Sequence, residues 1–249
     1  MRFVINYLLG ILGYKISRKI NSNHLNINFL NNYNRSKNLS SFNIEFFIFL
    51  DEALKYLTNK NNPIEGDIVE CGVFKGANCR FICEYLKSTS QETKEIYLYD
   101  TFEGMPKAND IDTNTYSKKN YNTYLKKTIK NNKLDNFYKY EKLDTVRKLL
   151  FSTNYNKKKI NFVKGLVEDT IPKIVPKKIS LLILDTDYYK STKHELEHLY
   201  PLVEKGGIIV IDDYGTWNGV KKAVDEYFNK SKNFRSFIDH KTIFYLKNE

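Results

Sequence analysis
Residues 180–214, SLLILDTDYYKSTKHELEHLYPLVEKGGIIVIDDY, decide how the rest of the chain is arranged. Two apolar runs, 181–184 and 208–211, each stop abruptly at acids: Asp185 and Asp187 after the first, Asp212 and Asp213 after the second. Unbroken Leu/Ile/Val runs of this length suit strands buried on both faces, the pattern of a parallel sheet covered by helices. The helix-length segment between them is closed by Pro201 and Gly206-Gly207. Strand, helix, strand predicts neighbouring parallel strands whose carboxyl ends share one rim, where an open α/β sheet places its ligands. A single acid at a strand end is ordinarily a solvated loop residue. Paired acids on adjacent strand ends repel unless a cation sits among them, so this rim reads as a divalent-metal site.

The 249 residues suffice for one sizeable α/β domain with an extension. A hydrophobic fraction of 41%, with 19 Tyr and 16 Phe, supports a substantial core, and a mean hydropathy of −0.52 argues against a membrane protein. The net charge of +11 suits nucleic acid, a membrane surface or an anionic small substrate, although lysines spread over solvated faces explain it equally. Cys71, Cys79 and Cys83 are odd in number, and the last two are one helical turn apart. They read as reduced, packed thiols, which points to the cytoplasm. Phe3, Val4, Tyr7, Leu8, Ile11 and Leu12 form a helical stripe too short to span a bilayer and without a small-residue cleavage site. That stripe predicts a partner, and a homodimer is expected.

Residues 1–62 read as an N-terminal helical arm and 63–249 as the main domain. The first 40 residues are Asn-rich and weakly patterned; Ser41 then stands as cap to a helix with Ile44, Phe47, Ile48, Leu50 and Leu54 on one stripe. A strand at 67–71 leads into Gly72-Val73-Phe74-Lys75-Gly76 and a helix at 77–87. Such a turn lets backbone approach a ligand closely, although its G-x-x-x-G spacing is not a dinucleotide fingerprint. A second strand at 95–99 ends in Asp100 and Thr101, where an acid can accept hydrogen bonds from ribose hydroxyls. Beyond it the pattern predicts a mobile loop at 109–116, helices at 121–130 and 141–151, and a strand at 160–164. A helix at 218–228 and two closing strands at 234–238 and 242–246 complete the chain.

The motifs IVECGVFKG, YLYDTFEGMP, KGLVEDTIP, LDTDYYKST, LYPLVEKGG and IDDYGTWNGVKKAVDEYF, in that order, resemble the macrocin O-methyltransferase family. That resemblance implies a class I methyltransferase, Rossmann-like fold, with a seven-stranded, mostly parallel sheet and helices on both faces. It also implies methyl transfer from S-adenosylmethionine to a sugar hydroxyl with the aid of Mg²⁺, or of Mn²⁺ or Fe²⁺. By the same resemblance Glu70 and Gly72 line the cofactor's amino-acid end and Asp100, with Thr101, its ribose. Val167 and Glu168 border the adenine, and Asp185, Asp212 and Asp213 hold the metal, with Asp185 also beside the cofactor. Asn78 stands where many relatives have serine, and either residue can cap the helix. The base is expected at Asp185 or Asp187, with Tyr188 and Lys190 nearby; related catechol-type enzymes carry a lysine where this chain has Tyr188.

Two other readings compete. His194-Glu195-Leu196-Glu197-His198 matches the zinc-hydrolase pattern H-E-x-x-H. Leu196, Leu199, Tyr200 and Val203 share the apolar helix face, however, which puts both histidines on the solvent face. An RNA methyltransferase, or one acting on a catechol-like small molecule, would also use this fold, but no basic-aromatic module for a nucleic-acid macromolecule is evident. The expected substrate is a sugar, nucleotide-linked, from a bacterial surface-polysaccharide precursor, since phosphate suits the positive charge.

Overall fold
A computed structural model describes residues 25–123, 140–228 and 235–248. The N-terminal stripe at 3–12 and most of the helix expected at 121–130 lie outside them. Residues 32–249 make up one compact unit, and the described residues before it, 25–31, begin helix α1 (Ile27–Ser36). The weak patterning of the first 40 residues therefore concealed a helix. From Asn32 onward it is fastened by side-chain contacts: Asn32 Nδ2 donates to the Phe81 carbonyl (2.8 Å) and Arg35 pairs with Glu84 (2.8 Å).

Helix α2 (Ile44–Leu57) follows the expected apolar stripe, but its cap is Asn43, whose side chain accepts the Phe46 N–H, and not Ser41. Phe46, Phe47, Leu50, Leu54 and Leu57 are fully buried, and Phe47 meets Phe81 at 5.2 Å between ring centroids. The sheet comprises β1 (Asp67–Cys71), β2 (Ile96–Asp100), β3 (Ile160–Lys164), β4 (Ile179–Leu184), β5 (Val203–Ile211), β6 (Arg235–Phe237) and β7 (Ile243–Leu246). Their spatial order is β3-β2-β1-β4-β5-β7-β6, and β7 runs antiparallel to both neighbours. The connecting helices are α3 (Ala77–Ser88), α4 (Leu143–Phe151), the single turn α5 (Val167–Thr170), α6 (Tyr189–Leu199) and α7 (Asn218–Tyr227).

All six residues of β4 are buried, as its unbroken apolar run demands. One set of alternating side chains, Val69, Leu182, Leu184, Ile209 and Ile211, packs with Leu196 and Leu199 of α6 and Val220 and Val224 of α7. Gly206-Gly207 does not close the helix. Leu199 ends α6, a 3₁₀ turn spans Tyr200–Leu202, and β5 already begins at Val203. The glycines fall inside the strand, where pairing jumps from Ile179↔Val203 to Leu181↔Ile208 and Gly206 takes φ +81°. Extra residues on one strand need such a bulge, and glycine allows its backbone.

Strand order reverses between β1 and β4, and their carboxyl ends touch. Gly72 has φ +85°, and a Cβ there would stand 2.0 Å from the Asp185 carbonyl oxygen. Only glycine admits that approach. The crevice of an open α/β sheet opens at such a reversal, so the topology puts the glycine turn and the paired acids side by side.

Candidate active site
Glu70 closes β1 inside the protein, 1% exposed. It accepts from Asn78 Nδ2 at 2.9 Å and from the Cys79 thiol. Burial pushes its carboxyl up to about 7, against the pull of those two donors. Asn78 is thus not the helix cap; the capping position of α3 is Gly76, at φ +79°. Asn78 Oδ1 is buried without a hydrogen-bond partner among the described residues. A buried amide oxygen in that state costs roughly 1–3 kcal/mol unless a ligand donor reaches it. All three cysteines are free and buried, as packed thiols should be.

Asp100 sits where expected, but its carboxylate is already engaged. One oxygen accepts the N–H groups of Val73 (2.7 Å) and Phe74 (3.0 Å), the other that of Phe102 (2.7 Å). It ties the end of β2 to the glycine turn. Thr101 Oγ1 donates to the Gly104 carbonyl at 2.7 Å. Thr101, Gly104, Pro106, Lys164, Gly165 and Leu166 border a cavity of about 440 Å³, inside the usual ligand-pocket range of roughly 300–1,000 Å³. Val167 is buried just beyond it, and Glu168 pairs loosely with Lys190 at 3.8 Å. Lys190 is therefore drawn toward Glu168, while the Tyr188 hydroxyl donates to the Pro106 carbonyl (2.9 Å).

The acids gather at the ends of β4 and β5. Carboxylate oxygens of Asp185, Asp187 and Asp213 lie within 4.8 Å of one another. Asp212 does not join them; it is 3% exposed and held by Lys241 Nζ (2.6 Å) and Thr242 Oγ1 (2.5 Å). Asp187 and Asp213 both take left-handed backbone, φ +65° and +57°, which turns their side chains across the rim. Burial first, then the Asp212 and Asp187 charges, drives the Asp185 carboxyl far above the usual range; burial and then Asp213 do the same for Asp187. Asp212 rises to about 6 through burial and the Asp213 charge, opposed by Lys241. The Tyr121 ring stands 5.1 Å from Tyr188 and 4.6 Å from Trp217, an aromatic wall beside the acids.

Lys241, Thr242 and Tyr121 were not singled out from the sequence. The signal for the first two is a register: Ile211 pairs with Ile243, so Thr242 falls opposite Asp212. The loop expected to be mobile at 109–116 is tied instead. Asp112 is fully buried and accepts the N–H groups of Asn109 (2.9 Å) and Tyr189 (2.8 Å), which fixes the loop to the start of α6. His194 and His198 are half-buried, not on the solvent face. His194 Nε2 bonds the Ile171 carbonyl and His198 Nδ1 the His194 carbonyl, with rings 4.2 Å apart. Glu195 between them is buried against Thr186, away from both imidazoles. One ring nitrogen of each histidine is thus bonded to backbone, and among the described residues neither joins a cluster of metal-ligating side chains.

A family model described as macrocin-O-methyltransferase (TylF) matches residues 50–247. The chain belongs to that family. Among the chain's relatives, demethyldecarbamoylnovobiocin O-methyltransferase of Streptomyces niveus is 28% identical over 67% of this chain and 59% of its own length. Mycinamicin III 3''-O-methyltransferase of Micromonospora griseorubida is 29% identical over 70% and 68%. The alignments thus span 59% and 68% of those relatives. The solved O-methyltransferase NovP superposes with a TM-score of 0.69 at 22% identity, covering 88% of each chain. CalS11, a TDP-rhamnose 3'-O-methyltransferase, gives 0.56 at 18% identity, covering 98% of this chain and 92% of its own. The fold is that of the class I methyltransferases.

Proposed function
We propose that this chain transfers the methyl group of S-adenosylmethionine to a sugar hydroxyl. Its acceptor is a nucleotide-linked sugar, a precursor of a bacterial surface polysaccharide. The observation that carries the reading is the approach of Asp185, Asp187 and Asp213 within 4.8 Å beside the glycine turn. The relatives' names support the sugar, CalS11 acts by name on a TDP-linked sugar, and the charge of +11 suits a phosphate-bearing acceptor.

The residues present fit both bound groups. Asn78 Oδ1, buried without a partner, suits a donor from the cofactor's amino-acid end, and Glu70 suits its ammonium. The family resemblance assigns the ribose to Asp100 and Thr101, and the adenine to Val167 and Glu168. Three hard carboxylate oxygens suit Mg²⁺, Mn²⁺ or Fe²⁺, held by Asp185, Asp187 and Asp213. When bound, such a cation lowers the pKa of a coordinated hydroxyl and fixes its position.

The remaining steps belong to the chain's own side chains. Asp187, which offers one carboxylate oxygen to the cluster, takes the acceptor's proton on the other. The acceptor oxygen forms its bond to the methyl carbon as the carbon–sulfur bond breaks, leaving a neutral thioether. Tyr121, Tyr188 and Trp217 keep water from that path. Buried free thiols at Cys71, Cys79 and Cys83 support the cytoplasm, and the apolar stripe at 3–12 supports a homodimer. Among the described residues no helix is long and apolar enough to cross a membrane.

The test is methyl transfer from labelled cofactor to nucleotide sugars and to neutral glycosides. Activity on a nucleotide sugar should vanish with chelator, return with Mg²⁺, and fall about 10²–10⁴-fold in Asp187→Asn. Methylation of neutral glycosides alone would remove the nucleotide-linked acceptor. Full activity in chelator would remove the cation.

A further inference from the structure
Three of the large apolar side chains that the fold leaves exposed stand around the cavity of about 440 Å³ between the loops after β2 and β3. Leu166, 37% exposed, lines it. Met105, 42% exposed, falls between Gly104 and Pro106, which line it too. Tyr140, 45% exposed, lies against Gly104. A Cβ on Gly104 would stand 2.8 Å from Cδ1 and 3.0 Å from Cε1 of that ring, and its backbone takes φ +97°, so glycine is what lets the ring settle there. The near end of the same loop is fixed from within. Phe102 N–H donates to Asp100 Oδ1 at 2.7 Å, and Thr101 Oγ1 accepts the Glu103 N–H at 3.2 Å while donating to the Gly104 carbonyl at 2.7 Å. Tyr140 holds the far end from a firm base, three residues before α4. That helix is seated on the glycine turn, since a Cβ on Gly76 would stand 3.1 Å from Val146 and 3.5 Å from Leu149. Lys164 and Glu103 also join two sides of the cavity at 2.5 Å, but both side chains are exposed, a setting in which an ion pair contributes little. The aromatic contact therefore carries the position of the loop.

We propose that Tyr140 is a positioning residue for the nucleoside end of the cofactor. Resting on Gly104, it holds residues 101–106 in the form that borders the cavity, and with Met105 and Leu166 it supplies an apolar rim that a flat heteroaromatic ring covers. The inference rests on the cofactor reading above, under which Thr101 serves the ribose. Apolar surface exposed around a concavity gains free energy when a ligand removes it from water. The acids at the ends of β4 and β5 do not line this cavity. Tyr140 therefore acts on binding of the cofactor and takes no part in the chemical step.

The test is calorimetry of the full chain with S-adenosylhomocysteine and with methylthioadenosine, which lacks the amino-acid end, and a melting curve for each variant. Tyr140→Ala should weaken both ligands by the same factor, about tenfold, at unchanged melting. Tyr140→Phe keeps the ring and should bind both within about twofold of wild type. If Tyr140→Ala melts early, Tyr140→Leu, apolar but without the ring, decides, with an expected loss of about threefold or more. Wild-type affinity for both ligands in the deciding variant overturns the inference. So does a loss confined to S-adenosylhomocysteine, a loss in Tyr140→Phe equal to that in Tyr140→Ala, or a wild type that binds S-adenosylhomocysteine but no methylthioadenosine. Each of these leaves the cofactor reading standing. A wild-type chain that binds neither ligand removes the cofactor reading and this inference with it.

Discussion

Glu195 has no exposed surface, and its only hydrogen bonds among the described residues come from Thr186 Oγ1, at 2.9 and 3.2 Å to its two oxygens. Burial, reinforced by the Glu168 charge and opposed by Thr186, pushes its carboxyl up to about 8 from 4.5. The folded chain therefore keeps a proton that the unfolded chain releases. The stability this contributes is full below about pH 4.5 and is lost as pH rises through about 8. Glutamine accepts the same hydrogen bond and cannot ionise. Glu195→Gln should melt with wild type near pH 4.5 and about 3–8 °C above it near pH 8.5. Equal melting at both pH values would show that burial of the ionised acid carries no cost. Asn78 poses the complementary case, a buried acceptor awaiting a donor. Asn78→Ala should weaken S-adenosylhomocysteine binding about tenfold, since a buried hydrogen bond to a charged group contributes roughly 1.5–3 kcal/mol. Calorimetry returning wild-type affinity would place Asn78 outside the cofactor's reach.

At the scale of elements, the loop at 109–116 and helix α6 act as one piece. Tyr188 carries no side-chain cap for α6. Asp112 supplies the missing acceptor from the distant loop, and Gly219 leaves room for it, since a Cβ there would stand 2.1 Å from Asp112 Oδ1. The aromatic wall rises from the same loop: Tyr121 N–H bonds the Asp112 carbonyl at 2.9 Å, and Asn114 bridges to Trp217. Asp112→Ala should cost about 1–2 kcal/mol of stability, as loss of a helix cap does. It should also expose the loop to limited proteolysis within 109–116. Urea denaturation with peptide mapping reads both effects; wild-type stability together with an intact loop would deny Asp112 the capping role.

For the whole molecule, the open matter is assembly. The stripe at 3–12 lies outside the described residues, so the homodimer rests on sequence pattern. Light scattering of the full chain at micromolar concentration should return twice the monomer mass, and a version lacking the first 20 residues should return the monomer. A full-length monomer would remove the dimer, and a truncated dimer would move the interface elsewhere. The sheet itself should be indifferent to that truncation, since residues 32–249 form one compact unit.

Local pattern determined most of the architecture. Strands at 67–71 and 160–164 and the helix starting at Ala77 stand where alternation, glycine and apolar runs put them, and β4, an almost unbroken apolar run, is buried throughout. Family membership was legible for the same kind of reason: a turn that must be glycine and acids that must end strands leave a motif in order. The sequence alone also determined that Asp185 and Asp213 meet, since adjacent parallel strands align their ends. Which oxygens face which neighbours was decided only by tertiary structure. Lys241 reaches Asp212 through the antiparallel register of β5 and β7, and Asp112 caps a helix 77 positions away. Asp187 stands in the cluster with Asp185 and Asp213, while Lys241 and Thr242 hold Asp212. Register and backbone handedness are set by the packing of whole elements, and no single residue type announces them.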